Sequence, residues 1–313
     1  MLTVYSTPNL KNPVLMCGFS GWADAASAAS GALRYLQIKR PGRRIAGFDA
    51  DSIYNYTTTR PLTLFDGQGQ RRIEWPSLEM TAIEVPEASH DLLVLVGPEP
   101  DLRWRDWVRT LFDYAAQLQV SAVLTFGAFL AQVHFSGPAM LTGISFDPRM
   151  RSQLRHLGIE DSSYQGPTGI TTVILREAAD RGIPAASIWA AAPSYLSSTS
   201  NPKLAAALLS VAERLIEQDL WKGELETAGR EMERRVKDAL RSRPDLVNFL
   251  KQLRGEPSEE DATTEEPSVE SEETPPVDNS EELPSPEEVL KDLEEHLRRL
   301  KGNSDQGYGG EGE

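Results

Sequence analysis

Apolar and polar positions alternate along residues 1–220 in a rhythm of short apolar runs and helical spacings. Continuous apolar runs predict buried strands, and apolar residues that recur every three or four positions predict helices. The predicted strands are 14–19, 92–96, 122–126, 140–145 and 186–191. The predicted helices are 22–36, 104–119, 171–181 and 204–220. This alternation is typical of a parallel sheet covered by crossover helices, so an α/β core domain is expected over residues 1–220.

Two segments carry more specific local signals. Asn201 and Pro202 occupy the capping position and the first position of the last predicted helix. In residues 45–85, the apolar runs 62–65 and 71–75 flank a turn at Asp66-Gly67. This punctuation predicts a hairpin, and we interpret 45–85 as an antiparallel excursion from the parallel pattern.

The composition changes after the core. Residues 221–254 form a charged, sparsely apolar stretch that predicts a helical appendage, packed on the core or between subunits. Residues 255–284 consist largely of Glu, Ser, Thr and Pro. Such a segment cannot bury enough apolar surface to offset the entropy of ordering, so we expect a disordered acidic linker.

A short amphipathic helix is predicted at 285–301. Ser285 and Glu288 match a capping box, with Pro286 at the first helical position. The apolar stripe that follows consists of Leu290, Leu293, Leu297 and Leu300. A helix this short is marginal alone in water, so the stripe needs a surface, which is equally well a partner protein or the chain's own core. Residues 302–313 are expected to form a disordered terminus.

The charge is divided unevenly along the chain. Residues 255–313 carry 20 acidic and 4 basic side chains, and residues 1–254 carry 27 and 28, so the net charge of −15 combines −16 and +1. A near-neutral core with an acidic tail does not fit nucleic acids or anionic membranes as partners. The lone Cys17, the absence of a signal-peptide pattern and the lack of a spanning apolar run predict a cytoplasmic protein.

Candidate ligand-binding residues lie in the loops that follow the predicted strands, where α/β sheets bind ligands. These loops are 18–24, 97–104 and 164–169, with a further polar loop at 192–195. The candidate residues are Trp22, Asp24, Glu99, Arg103, Trp104, Gly166, Thr168 and Gly169.

Each of these loops also has a structural interpretation. Asp24 stands in a first helical turn, where a carboxylate caps backbone N–H groups or complements the helix dipole. Glu99 and Arg103 can form an ion pair with each other, and glycine turns precede helices without any ligand. For Asp24 and for the Glu99–Arg103 loop we favour the structural interpretation.

The sequence offers no catalytic set, metal site or cofactor motif. The four histidines stand far apart, none lies in an HExxH or Cys/His cluster, and Gly-x-Ser-x-Gly is absent. His134 is expected to be a satisfied core or loop histidine, and Cys17 to be buried and inert. A non-enzyme is therefore the favoured expectation.

At the same loops the chain resembles the proteasome assembly chaperone family, of the second-chaperone type found in archaea and actinobacteria. The resemblance spans residues 10 to about 220. The segments that carry it are Gly18-Phe19-Ser20-Gly21-Trp22-Ala23-Asp24-Ala25, Gly97-Pro98-Glu99-Pro100-Asp101 with Arg103-Trp104, Gly166-Pro167-Thr168-Gly169-Ile170 and Pro193-Ser194-Tyr195. It implies a three-layer α/β/α sandwich like the core of purine nucleoside phosphorylases, and homo-oligomers, with a trimer expected.

The chain departs from this family's pattern at three places. Actinobacterial relatives tend to have a Pro-His-Thr-Arg-Pro stretch, of which this chain keeps only His134. They also commonly have a Pro-His-Tyr motif in the last strand, where Ser194 replaces the histidine. Tyr308 lies too far from the terminus to match the hydrophobic-Tyr-x tail of eukaryotic relatives. These departures weaken both an enzymatic role and direct docking to the proteasome.

Two functions follow as expectations. The first is a non-catalytic oligomeric scaffold or assembly-chaperone-like protein that acts on an unknown protein partner. The alternative is a protein or enzyme that binds a nucleoside-like or phosphorylated small molecule in the crevice at the carboxyl ends of the strands.

Overall fold

The computed structural model describes residues 1–197 and 199–241. The predicted linker 255–284, helix 285–301 and terminus 302–313 lie outside the described residues, as do residues 242–254 of the predicted appendage. The pattern of apolar runs along the sequence does not determine the order of the strands in the sheet. The structure shows that order.

Eleven strands are present in the described part of the chain. They are β1 (Leu2–Val4), β2 (Val14–Ser20), β3 (Arg43–Phe48), β4 (Leu62–Phe65), β5 (Arg71–Glu74), β6 (Leu78–Ile83), β7 (Leu92–Pro98), β8 (Ala122–Ala131), β9 (Leu141–Ile144), β10 (Glu160–Asp161) and β11 (Ala185–Pro193). Nine of them form one sheet in the order β1-β3-β6-β7-β2-β8-β11-β9-β10, and β4 pairs only with β5. Strands β7, β2, β8 and β11 are neighbours and parallel.

Helices cover both faces of this sheet. They are α1 (Ala28–Lys39), α2 (Ala50–Ile53), α3 (Trp104–Gln117), α4 (Pro148–His156), α5 (Ile170–Asp180), α6 (Pro202–Ile216) and α7 (Gly223–Arg241). One apolar cluster joins the sheet to α1, α4 and α6, and a second joins the other face to α3 and α5. The protein is therefore a three-layer α/β/α sandwich, as expected.

The central strand β2 shows why the sheet is buried on both faces. Val14 and Met16 belong to one apolar cluster, and Leu15 and Cys17 belong to the other. All four side chains are fully buried. Because successive side chains of a strand point to opposite faces, a continuous apolar run is what a sheet covered by two helical layers needs.

Two sequence expectations are corrected by the structure. The helix predicted to begin at residue 22 begins at Ala28, because Ala26 and Ser27 have left-handed φ values of 54° and 49°. Strand β9 is antiparallel to β11, not part of the parallel set. The connection from β8 to β9 has only nine residues, which is shorter than the roughly dozen that a parallel crossover needs.

The helical appendage begins as α7, which packs antiparallel on α6. Lys222, just before α7, pairs with Glu213 near the end of α6, and Lys203 at the start of α6 pairs with Glu233 of α7. The start of α6 follows β11, so α7 runs toward the carboxyl ends of the parallel strands. Its last eight residues extend about 12 Å beyond Glu233.

No helix in the described ranges is long and apolar enough to span a bilayer.

Candidate functional site

The parallel register brings the predicted loops to one end of the sheet. Phe19 of β2 pairs with Gly97 of β7, and β8 and β11 pair up to Ala131 and Pro193. The loops after these four strands therefore meet at one end, which we call the carboxyl edge. The hairpin of β4 and β5 is inserted at the same end, since Leu78, the first residue of β6, pairs with Phe48, the last residue of β3.

Glu99 links two of the candidate loops. Its backbone N–H donates to the Ser20 carbonyl oxygen at 3.0 Å, and its Oε1 accepts the Ile170 N–H at 2.7 Å. Ile170 is the first residue of α5, so the Glu99 carboxylate caps that helix. Burial raises the pKa of Glu99, and the nearby Asp101 acts in the same direction. Glu99 thus holds the 164–169 loop against β7.

Trp22 lies over the same junction. A methyl group placed on Gly169 would lie 3.6 Å from Trp22 Cζ3 and 3.4 Å from Glu99 Oε1. The Trp22 side chain nevertheless remains 62% exposed. Three predicted site residues, Trp22, Glu99 and Gly169, are therefore brought together at the carboxyl edge.

Asp24 has the structural role that its position predicts. Its carboxylate accepts the N–H groups of Ala29 at 2.8 Å and Ser30 at 3.1 Å, and the Ser30 hydroxyl at 2.5 Å. Burial is the main cause of a raised pKa of Asp24. The loop is also tied to β8, because Ala128 donates its N–H to the Ala23 carbonyl oxygen at 2.8 Å. The capping interpretation of Asp24 is confirmed.

Arg103 and Trp104 are the other candidate residues of the 97–104 loop, and they are not linked to this junction through Glu99. The Arg103 guanidinium pairs with Asp106 at 3.2 Å, so the Glu99–Arg103 ion pair considered from the sequence is wrong. The Trp104 indole N–H donates to the Pro100 carbonyl oxygen, and the ring is half-buried against α3's apolar cluster. Both contacts are local to the start of α3.

Gly166 and Thr168 lie in a loop that folds on itself. The Tyr164 hydroxyl donates to the Pro167 carbonyl oxygen at 3.0 Å, and the Tyr164 ring packs against Gly166. Thr168 Oγ1 donates to the Gly169 carbonyl oxygen at 3.3 Å. Both predicted residues are exposed.

A cavity of about 310 Å³ lies between the β8–β9 connection and the start of α6. Its wall includes His134, whose Nδ1 accepts the Ser136 N–H at 3.1 Å and lies 2.8 Å from the Ser136 hydroxyl. Lys203 Nζ donates to the Phe135 carbonyl oxygen at 2.9 Å. The expectation of a satisfied loop histidine is confirmed. Cys17 is fully buried, which raises the pKa of its thiol, as the expectation of an inert cysteine requires.

Within residues 1–197 and 199–241, no group of three or more His, Cys, Asp or Glu side chains is arranged to hold a metal ion.

Sequence reasoning missed an apolar surface at the carboxyl edge. Ten of the 14 large hydrophobic side chains that are exposed in the described residues lie there. Six belong to the loops and strand ends, and four belong to the hairpin. The loop group is Trp22, Leu102, Phe129, Leu130, Met140 and Tyr164, and the hairpin group is Leu62, Phe65, Ile73 and Trp75. The one available signal was the presence of large apolar residues in segments that otherwise look like polar turns.

We call the first of these groups the edge apolar surface. Leu130 is 52% exposed and Met140 is 56% exposed, although both sit beside the last residues of β11. Exposed apolar side chains clustered at one end of a protein are typical of a protein-binding surface.

Comparison with known proteins identifies the family. A PAC2 family profile matches residues 18–240. No curated protein matches the chain. Among solved structures, a PAC2 family protein from Streptomyces avermitilis has 35% sequence identity, covers 72% of this chain and 95% of its own, and superposes with a TM-score of 0.66.

Two further structures extend the comparison. A Mycobacterium tuberculosis proteasome-assembly chaperone homologue has 30% identity over 72% of this chain and 94% of its own, with a TM-score of 0.66. Pyrococcus furiosus PbaB, an archaeal proteasome activator, has 15% identity over 76% of this chain and 98% of its own, with a TM-score of 0.59, and shows the fold alone. The profile match and the two bacterial relatives confirm the resemblance found in the loops: the chain belongs to the PAC2 family.

Proposed function

We propose that this protein is a non-catalytic, homo-oligomeric scaffold of the assembly-chaperone type that binds other proteins in the cytoplasm. The relative from Mycobacterium tuberculosis, at 30% identity over 72% of this chain, is a proteasome-assembly chaperone homologue. That likeness supports an assembly-chaperone-like role. A trimer is the proposed stoichiometry, and the leucine stripe of 285–301 is proposed as a second contact for the partner.

The observation that carries the proposal is the edge apolar surface. In an α/β sheet this end is where a small ligand is expected, in a concave site with a few converging polar groups. This end holds the 310 Å³ cavity beside His134 and Lys203, but it also presents large apolar side chains to solvent, among them Trp22, Leu130 and Met140. An exposed apolar patch with aromatic and Met side chains suits the core of a protein–protein interface.

The polar groups at the carboxyl edge support the same conclusion. Asp24 uses its carboxylate to cap α1, and Glu99 uses its carboxylate to cap α5. Both groups therefore stabilise loops and would repel a phosphorylated ligand. These contacts favour the scaffold over the alternative of a nucleoside-like or phosphorylated small molecule.

The test is a quantitative affinity purification from native lysate. We expect the full chain to retain a specific set of proteins, and a Leu130→Ser, Met140→Ser variant to lose them. Ile38→Ser is the matched control, because Ile38 is 78% exposed on the last turn of α1, at the opposite end of the sheet. A further chain that ends at Arg254 measures the contribution of the tail.

The outcomes separate clearly. Loss of the same proteins from the edge variant, but not from the Ile38 control, supports the proposal. Proteasome subunits among those proteins would extend the relative's role to this chain. If all variants retain the same proteins or none, and a panel of nucleosides and phosphorylated metabolites raises the melting temperature, the small-molecule alternative replaces the scaffold.

A further inference from the structure

The hairpin of β4 and β5 stands apart from the rest of the fold. Its two strands pair with each other and with none of the nine strands of the main sheet. Its turn is held locally, since Asp66 Oδ1 accepts the N–H groups of Gln68 at 2.9 Å and Gln70 at 2.8 Å. Gly69, at φ +76°, adopts the left-handed conformation that the turn requires. The hairpin is thus shaped by its own sequence.

Apolar side chains lie on both faces of this hairpin. Thr63 pairs with Ile73, and Phe65 pairs with Arg71, so Phe65 and Ile73 share one face. Leu62 pairs with Glu74 on the opposite face. Phe65 is 65% exposed, Ile73 62% and Leu62 58%. A lone two-stranded hairpin is marginally stable in water. A hairpin with apolar side chains exposed on both faces would therefore be stabilised by a surface that covers it.

The base of the hairpin connects it to the fold. The Trp75 ring packs against Tyr56 with a centroid distance of 4.9 Å, and Tyr56 itself packs against the core cluster that contains α3. Trp75 remains 54% exposed. Together with Leu62, Phe65 and Ile73 it presents on the order of 400 Å² of apolar surface over the two faces, which is within the range of the largest patches on monomers, and such patches are often functional.

We propose that a second copy of this chain covers the hairpin, and that the hairpin is the arm through which copies associate. This inference rests on the homo-oligomer of the proposed function and names the surface that forms it. In a symmetric assembly each copy donates one hairpin and receives another. The buried area then approaches about 800 Å² per copy, which is the size of a standard specific interface.

One further observation favours a second copy over the chain's own tail. The leucines of the helix predicted at 285–301 would form one stripe, which covers only one face of the hairpin, whereas apolar residues occupy both faces. The net charge of residues 1–254 is only +1, so it does not oppose contact between two cores.

The experiment measures the oligomeric state of the full chain by sedimentation velocity over a range of concentrations. The test variant is Phe65→Thr, Ile73→Thr, which removes apolar surface but keeps residues that favour strands. We expect the wild-type chain to be an oligomer and the variant to need at least a tenfold higher concentration to associate. Ile38→Ser is again the matched control and should associate like the wild type.

A second measurement does not depend on the hairpin variant folding correctly. Thr63 is exposed on the hairpin, and the native Cys17 is fully buried, so Thr63→Cys can be labelled selectively with an environment-sensitive dye. We expect the dye emission to shift on dilution, at the concentration where the oligomer dissociates.

Each result decides a different question. A wild-type oligomer that is unaffected by the hairpin variant, with a dye that does not respond to dilution, overturns the hairpin inference and leaves the oligomeric scaffold intact. A wild-type chain that is monomeric at all concentrations overturns both. Weakening caused by truncation at Arg254, and not by the hairpin variant, overturns the inference in favour of the tail as the occupant.

Discussion

Two carboxylates, the buried Asp24 and the half-buried Glu99, hold the loops of the carboxyl edge by accepting backbone N–H groups. The first role was predictable, because Asp24 stands close in sequence to the helix that it caps. The second was not predictable, since Glu99 caps a helix that begins 71 residues later, at Ile170. No spacing along a sequence encodes a contact of that kind, which exists only once β7 and α5 have packed.

Replacing Asp24 tests the strength of the first cap. Asp24→Ala removes the acceptor for the Ala29 and Ser30 N–H groups and leaves buried donors unpaired, so the free energy of unfolding should fall by about 2 kcal/mol. Asp24→Asn keeps an oxygen acceptor and should cost less than half as much. Urea denaturation of both variants measures the difference, and equal losses would contradict a capping role.

The pH dependence of Glu99 follows from its raised pKa. Because folding disfavours the ionised form, the Glu99 contribution to stability is fully present below its ordinary pKa and is lost as the pH rises through the folded-state pKa. Glu99→Gln keeps an acceptor for Ile170 and does not titrate. Its melting temperature should therefore rise relative to that of the wild type as the pH increases above the ordinary glutamate pKa of about 4.

Thermal melts across this pH range check the prediction. Glu84→Gln is the matched control, since the Glu84 side chain is 63% exposed. A difference between Glu99→Gln and the wild type that stays constant with pH would show that burial does not govern this carboxylate.

At the scale of elements, the sequence predicted most strands and helices of the core, because their apolar periodicity records which faces are buried. The hairpin was likewise predicted from its turn at Asp66-Gly67. The start of α1 and the direction of β9 were wrong, since the first depends on two left-handed residues and the second on pairing with β11. Helix α4 was missed because only Met150 and Leu154 are buried in a very polar segment.

Helix α7 offers a test at this scale. Val236 is buried in an otherwise charged helix. Val236→Asp places an unpaired charge in that contact and should detach the end of α7, lowering the free energy of unfolding by roughly 2–3 kcal/mol. Limited proteolysis should then cleave within α7. Lys237→Asp, at an exposed neighbouring position, is the control, and equal cleavage of both variants would contradict the packing of α7.

At the scale of the whole molecule, the fold places most of the exposed apolar side chains, which sequence did not predict, at one end. The three layers follow from apolar patterning, but the clustering of Trp22, Met140 and the hairpin at the carboxyl edge follows from strand order. The candidate loops were predicted to meet there, and the Trp22, Glu99 and Gly169 junction is what that meeting produces. The edge thus combines a rigid base with an apolar exterior.

The direction of α7 has a consequence for any protein that docks on this edge. Since α7 is described up to Arg241, beyond the same end of the sheet, the 72 residues that follow continue from a point beside the docking site. A disordered linker of the kind predicted at 255–284 would hold the segment 285–301 at an effective concentration on the order of millimolar, so even a weak second contact would greatly prolong the bound lifetime. The net charge of −16 on residues 255–313 would then make such avidity greatest for partners with a basic surface, and salt would weaken it.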